Sequence, residues 1–251
     1  MTICCQCQKE YHAGCLKERG ICDFEVSEDN WFCCNDCCII HNQLTKMICK
    51  KYFPYLNNPT TRQDVHWCIL SGEDRSLENR SLLSKAAAIF REAFHPIPGS
   101  CVDIVPAMLF GKSDKDHDFF GTYCAIVMIG SKVISAGMLR VFGTDIAELS
   151  LVATTKLSRR QGYFRSLFSL VEVLLTKLKV KKLILPANEN VNSMWVEKFG
   201  FSVMAGSELN RYVSEIPITL FQGVLMLEKS FQISSNAITY KYTISSSIIT
   251  N

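Results

Sequence analysis

The run Ala147-Glu148-Leu149-Ser150-Leu151-Val152-Ala153-Thr154, followed after a short gap by Arg159-Arg160-Gln161-Gly162-Tyr163-Phe164, decides how this chain is read. The apolar residues over Ile146–Ala153 predict a strand. Behind the basic loop, Phe164, Leu167, Phe168, Leu170, Val171, Leu174 and Leu178 recur at helical spacing and predict a long helix over Gln161–Lys179. A strand, a short basic loop bearing one glycine, and a helix N-terminus together make an anion site. Backbone N–H groups point outward there and the helix dipole favours negative charge. A pyrophosphate would suit it. Neither the dinucleotide-binding glycine fingerprint after a strand nor a full P-loop is present.

Working outward, Val65–Leu70 is a strand candidate and Leu77–Phe94 a helix, closed by His95-Pro96. Thr122–Ile129 and Lys132–Val141 read as strands joined at Gly130-Ser131, a hairpin turn. Downstream, Lys182–Leu185 and Phe201–Met204 are short strands around a helix at Asn190–Phe199, and a last strand is expected over Thr219–Leu227. The order is mixed α/β, an antiparallel meander passing into a βαβα pattern. Domain boundaries are expected as a zinc-binding module over 1–42, a linker over 43–62, the α/β domain over 63–229 and a disordered or loosely extended tail over 230–251.

Of 13 cysteines, nine lie at or before Cys38. Met1-Thr2-Ile3 opens without the basic and apolar regions of a signal peptide, and no apolar run is long enough to span a bilayer. The chain is therefore expected to be intracellular, where cysteines packed beside a His point to metal rather than disulfides. Cys4-x-x-Cys7, His12-x-x-Cys15 and Cys33-x-x-x-Cys37 have ligand spacing for Zn2+. Spacing alone leaves Cys5 as an alternative to Cys4, and Cys34 or Cys38 as alternatives in the last pair. A net charge of +3 neither demands nor excludes contact with DNA.

The cysteine order, with Trp31-Phe32 before the last pair, resembles the second half of a PHD finger. That resemblance implies one complete site from Cys4, Cys7, Cys33 and Cys37. His12 and Cys15 would be half of a second, its other pair lying before Met1, either as in an N-terminally truncated finger or with a spare cysteine such as Cys22 partly filling the gap. Arg159-x-x-Gly162-x-Phe164 resembles the acetyl-CoA signature of GNAT acetyltransferases, with Phe164 where the family has Gly or Ala. Trp195-Val196-Glu197-Lys198-Phe199-Gly200-Phe201 is similar to that family's closing motif, with Val196 where many members carry a Tyr. Trp67-x-x-Leu70-Ser71-Gly72, Ile104-Val105-Pro106-Ala107-Met108, Ser135-Ala136-Gly137 and Arg140-Val141-Phe142-Gly143 complete a resemblance to plant PHD–acetyltransferase proteins of the Increased DNA Methylation type.

This resemblance implies a GNAT fold behind a partial PHD-type finger, location in the nucleus, and acetylation of lysines on histone tails or other nuclear proteins among chromatin-associated partners. It implies Glu148 as general base, since its Ala-Glu-aliphatic context is that of the family's catalytic strand and apolar neighbours would raise its pKa. Pattern alone also allows a solvent-facing residue on an alternating strand. By the same resemblance Leu151, Val152 and Ala153 would meet the pantetheine arm, and Arg159, Arg160, Gln161, Gly162, Tyr163, Phe164 and Arg165 the pyrophosphate of acetyl-CoA. Two other readings compete: a GNAT-fold scaffold without turnover, and a RING-like ligase, which needs two complete zinc sites.

Overall fold

The computed structural model describes residues 1–18, 30–53, 65–94, 103–112, 119–231 and 243–244. At the N-terminus a small hairpin, β1 (Thr2–Ile3) with β2 (Glu10–Tyr11), precedes α1 (Ala13–Glu18) and α2 (Asn35–Met47). Next come β3 (Tyr52–Phe53), β4 (Val65–Ser71), α3 (Leu77–Ala93), α4 (Ile104–Leu109), β5 (Thr122–Ile129), β6 (Lys132–Phe142) and β7 (Ile146–Thr154). The second half holds α5 (Tyr163–Lys177), β8 (Lys182–Ala187), α6 (Glu189–Phe199), β9 (Ser202–Val203), α7 (Gly206–Glu215), β10 (Leu225–Ser230) and β11 (Thr243–Ile244).

These strands form one sheet in the order β11-β3-β4-β5-β6-β7-β8-β10-β9. Neighbouring strands in it are antiparallel except β7 and β8, whose parallel pairing requires a crossover, supplied by α5. Helices cover both faces, which explains why β5 (Thr-Tyr-Cys-Ala-Ile-Val-Met-Ile) is apolar almost throughout instead of alternating. On one face Leu167, Phe168, Leu170, Val171, Leu174 and Leu175 of α5 pack over Tyr123, Ala125, Leu139 and Leu149. Each such side chain contributes about 2 kcal/mol relative to staying in water. On the other, Leu82, Leu83, Ala86 and Phe90 of α3 meet Leu70, Ile126, Met138 and Leu151. Asn79, fully buried, ties the start of α3 to the end of β4 by donating to the carbonyls of Ser71 (2.6 Å) and Asp74 (2.7 Å).

Three differences from the expected elements have physical causes. The strand expected from Thr219 begins only at Leu225, because the Thr219 N–H is bonded to a side chain, Glu148, and not to a neighbouring strand. Helix α7 was not expected: of its ten residues only Tyr212 is buried, too narrow a stripe to show as a period. Helix α2 runs across the expected boundary at 42–43 and sends Ile40 and Leu44 into the same core as Trp67. Of the expected linker, residues 54–62 lie outside the described residues; of the tail, Thr243–Ile244 pairs with β3.

Candidate active site and metal centre

Cys4 and Cys7 come from the turn between β1 and β2, Cys33 and Cys37 from the entry and first turn of α2. Their four sulfurs lie within 4.8 Å of one another and all four residues are buried. Cys33 Sγ is 3.6 Å from Cys7 Sγ and 3.7 Å from Cys37 Sγ. A tetrahedral zinc with Zn–S near 2.3 Å needs sulfurs about 3.8 Å apart, so the spacing fits a four-thiolate metal site. The Cys33 N–H donates to Cys4 Sγ at 3.4 Å, and hydrogen bonding from Cys33 draws the Cys4 and Cys7 thiols below their ordinary pKa. Cys5, Cys34 and Cys38 stay outside the cluster. So do His12 and Cys15, both exposed; among the described residues no group of three ligands includes them, and Cys22 lies outside the described residues.

Strand β7 pairs with β8 only at Ile146, Ala147 and Glu148; beyond Ile184 the two strands part. Pro186, two residues on, has no N–H to offer across the gap. Among the described residues, Leu149–Thr154 is therefore paired to β6 alone, which leaves one backbone edge open to a strand-like ligand. The β6 register slips between Met138 and Leu139, which face Leu151 and Leu149, so Ser150 is the extra residue of a bulge at the point of parting.

The open edge leads through a 3-10 turn at Lys156–Ser158 to the basic loop. Arg159, Arg160, Gln161 and Arg165 are exposed there. Arg160 and Gly162 both have positive φ, +62° and +88°. Gly162 is the N-cap of α5 and supplies no side-chain acceptor, so the first-turn N–H groups are left for an anion. Phe164 turns the other way: its ring packs edge-on to Trp195 (5.4 Å) and Phe199 (5.2 Å), in a cluster with Phe168 and Phe201. Its bulk sits in the core between α5 and α6. Trp195 is buried, and Val196 is exposed beside it.

Glu148 is 0% exposed, which removes the solvent-facing alternative. Its Oε1 accepts the Thr219 N–H at 2.7 Å, and its Oε2 lies 3.7 Å from Arg140 Nη1. Arg140, 1% exposed, sits directly opposite it on β6. Burial pushes the Glu148 carboxyl above the usual carboxylate range; Arg140 and the Thr219 N–H pull against that and do not cancel it. Sequence reasoning assigned Arg140 no role. The signal was available, since it is a charged side chain inside the apolar run Met138–Phe142.

Residues 94–230 match the family described as Increased DNA methylation 1, C-terminal domain. The chain belongs to this family. It is 31% identical over 95% of its length to Increased DNA methylation 1 of Arabidopsis thaliana, of which it spans about a fifth (21%). Among solved structures, Tetrahymena GCN5 is similar with a TM-score of 0.53 at 19% identity, covering 67% of this chain and 97% of that one. The catalytic domain of Tetrahymena GCN5 histone acetyltransferase in complex with coenzyme A is 18% identical with a TM-score of 0.48, covering 66% and 92%. The chain has the GNAT acetyltransferase fold, with the four-cysteine cluster seated at one end of its sheet. At that seat a Cβ on Gly143, whose φ is +67°, would come within 3.3 Å of Cys7 Cβ and 3.5 Å of Cys37 Sγ.

Proposed function

We propose that the chain is an acetyl-CoA-dependent lysine acetyltransferase acting on histone tails or other nuclear proteins. The observation that carries the proposal is the parting of β7 from β8 directly after Glu148, on a path that ends at the α5 N-terminus. In this reading Leu151, Val152 and Ala153 pair through their backbone with the pantetheine arm. Arg159 to Arg165 hold the pyrophosphate, with the uncapped amides behind Gly162 meeting its oxygens.

Glu148 is the general base. A lysine ammonium is protonated at neutral pH and must lose a proton before it can attack. A carboxyl raised by burial is better matched to that transfer than an ordinary one. The amine nitrogen bonds to the thioester carbonyl carbon, the C–S bond breaks, Glu148 carries the proton from nitrogen, and water protonates the thiolate, since Val196 has no proton to give. The Thr219 segment covers the carboxylate, so the proton travels through one water or after a shift of that segment. The four-thiolate set suits zinc, which would tie the β1–β2 turn to α2.

Full enclosure of Glu148 against Arg140 favours a second reading, a GNAT-fold scaffold that binds acetyl-CoA without turnover. Calorimetric titration with acetyl-CoA, followed by mass analysis of histone peptides incubated with both, separates the two. Binding with a 42 Da peptide gain (the acetyl increment, about the mass of one C2H2O) supports the enzyme. Binding alone supports the scaffold, and no binding refutes both.

A further inference from the structure

The cysteine turn reaches the surroundings of Glu148. Gln6 and Gln8 flank Cys7, and both are buried. Gln6 Nε2 donates to the Val141 carbonyl of β6 at 2.6 Å. Gln8 Nε2 donates to the Phe120 carbonyl at 2.6 Å, while its Oε1 accepts from Arg140 Nη2 at 2.7 Å. The other arm of the same guanidinium, Nη1, donates to the Pro217 carbonyl at 2.6 Å and lies 3.7 Å from Glu148 Oε2. Gln8 itself is fixed by the turn: its N–H donates to the Cys4 carbonyl at 2.9 Å and its φ is +57°. Next to it, Lys9 pairs with Glu215 at 2.7 Å, at the end of α7 and just before the segment whose Thr219 N–H bonds Glu148. The turn thus contacts Arg140 directly and, through Lys9, the end of the helix that leads into the Thr219 segment.

We propose that Gln8 is a positioning residue for Glu148. Its side-chain oxygen holds the Arg140 guanidinium between the Pro217 carbonyl and the carboxylate, so the cysteine turn sets the charge environment of the group read as general base. A guanidinium presents its donors in a rigid planar fork, so fixing one arm fixes the other. Without the Gln8 acceptor the fork can rotate off its 3.7 Å approach. Among the described residues, Arg140 is the charged side chain that lowers the Glu148 carboxyl, and the Thr219 N–H and the Thr219 and Ser150 hydroxyls act in the same direction. The role rests on the acetyltransferase reading, but the geometry can be tested without turnover.

The test uses the full chain with glutamate labelled at the carboxyl carbon, the Glu148 signal being assigned by its loss in Glu148→Gln. Gln8→Met removes the acceptor at nearly constant size and is expected to raise the Glu148 titration midpoint by about one pH unit. Gln6→Met removes the neighbouring contact to β6 without touching Arg140 and is expected to leave the midpoint in place. Should Gln8→Met not fold, Gln8→Asn, one methylene too short to span Phe120 and Arg140, carries the same expectation. In turnover, the kcat–pH profile of the Gln8 variant should move to higher pH by about the same unit, with kcat recovered at high pH, as a raised base does and general destabilisation does not. An unmoved midpoint in the Gln8 variant, or an equal shift in Gln6→Met, overturns the proposal. A shifted midpoint in a chain that never acetylates would leave the coupling standing and remove the enzyme reading.

Discussion

Replacing Arg140 by Met probes the pair at the centre of the site. Arg140 and Glu148 are 1% and 0% exposed, so neither has water to fall back on. Removing the cation leaves the carboxylate unpaired and orphans two acceptors, the Pro217 carbonyl and Gln8 Oε1. Breaking a buried pair in this way costs about 3–5 kcal/mol. Glu148→Gln is expected to cost less, about 1–2 kcal/mol, because the amide oxygen can still accept the Thr219 N–H and Arg140 keeps its two carbonyl-type acceptors. The double variant should cost about 1–3 kcal/mol less than the sum of the two.

The pH dependence has a definite sign. Arg140 opposes the rise that burial imposes on Glu148, so Arg140→Met raises its folded-state pKa further above the unfolded value of about 4.3. Between those two values the native state binds the extra proton, so the variant loses stability as pH rises through the window and regains it as pH falls. Urea denaturation of the four proteins at about pH 5 and about pH 8 reads all of this. A deficit for Arg140→Met larger at the higher pH, and absent from the Glu148→Gln background, is expected. Equal deficits at both pH values with no coupling in the cycle would refute the pairing.

Other consequences follow from the same structure. Metal analysis of protein purified without chelator should give one zinc per chain, lost in Cys37→Ser and retained in Cys34→Ser, since only Cys37 joins the cluster. Gly143→Ala should cost roughly 1–2 kcal/mol from its left-handed backbone alone, more if Cys7 cannot give way, and its thermal midpoint should respond to chelation less than that of the wild type. At Gly162, a Cβ meets nothing within 4 Å, so Gly162→Ala should fold with about 1 kcal/mol lost yet bind acetyl-CoA more weakly by titration. Phe168→Ala opens the aromatic cluster beneath α6 and should cost about 3–5 kcal/mol in urea denaturation.

Much of the fold was legible because periodicity reports burial. The α5 stripe, the apolar run of β5 and the Gly130-Ser131 turn all appear within a residue or two of where their patterns put them. Helix α7 and the late start of β10 were not legible, since one is held by a single buried ring and the other delayed by a bond to a side chain 71 positions earlier. At the cysteine cluster, spacing left Cys5, Cys34 and Cys38 open; which sulfurs converge is decided by how α2 enters, with Cys34 exposed at its N-cap. The Glu148 site was half legible. Glu148 stood out by its strand, but its partners Arg140 and Thr219 and the Gln8 that holds Arg140 are distant in sequence, Gln8 and Arg140 being 132 positions apart, and side-chain amides leave no sequence signature.

The most direct test of the central claim is single-turnover acetyl transfer to a histone peptide by wild type and Glu148→Gln, with acetyl-CoA affinity measured on the same samples. Equal affinity with transfer slowed by about 10²–10⁴-fold in the variant is expected of a general base. Equal transfer by both proteins, or none by either despite tight binding, would contradict it and leave the fold as a scaffold.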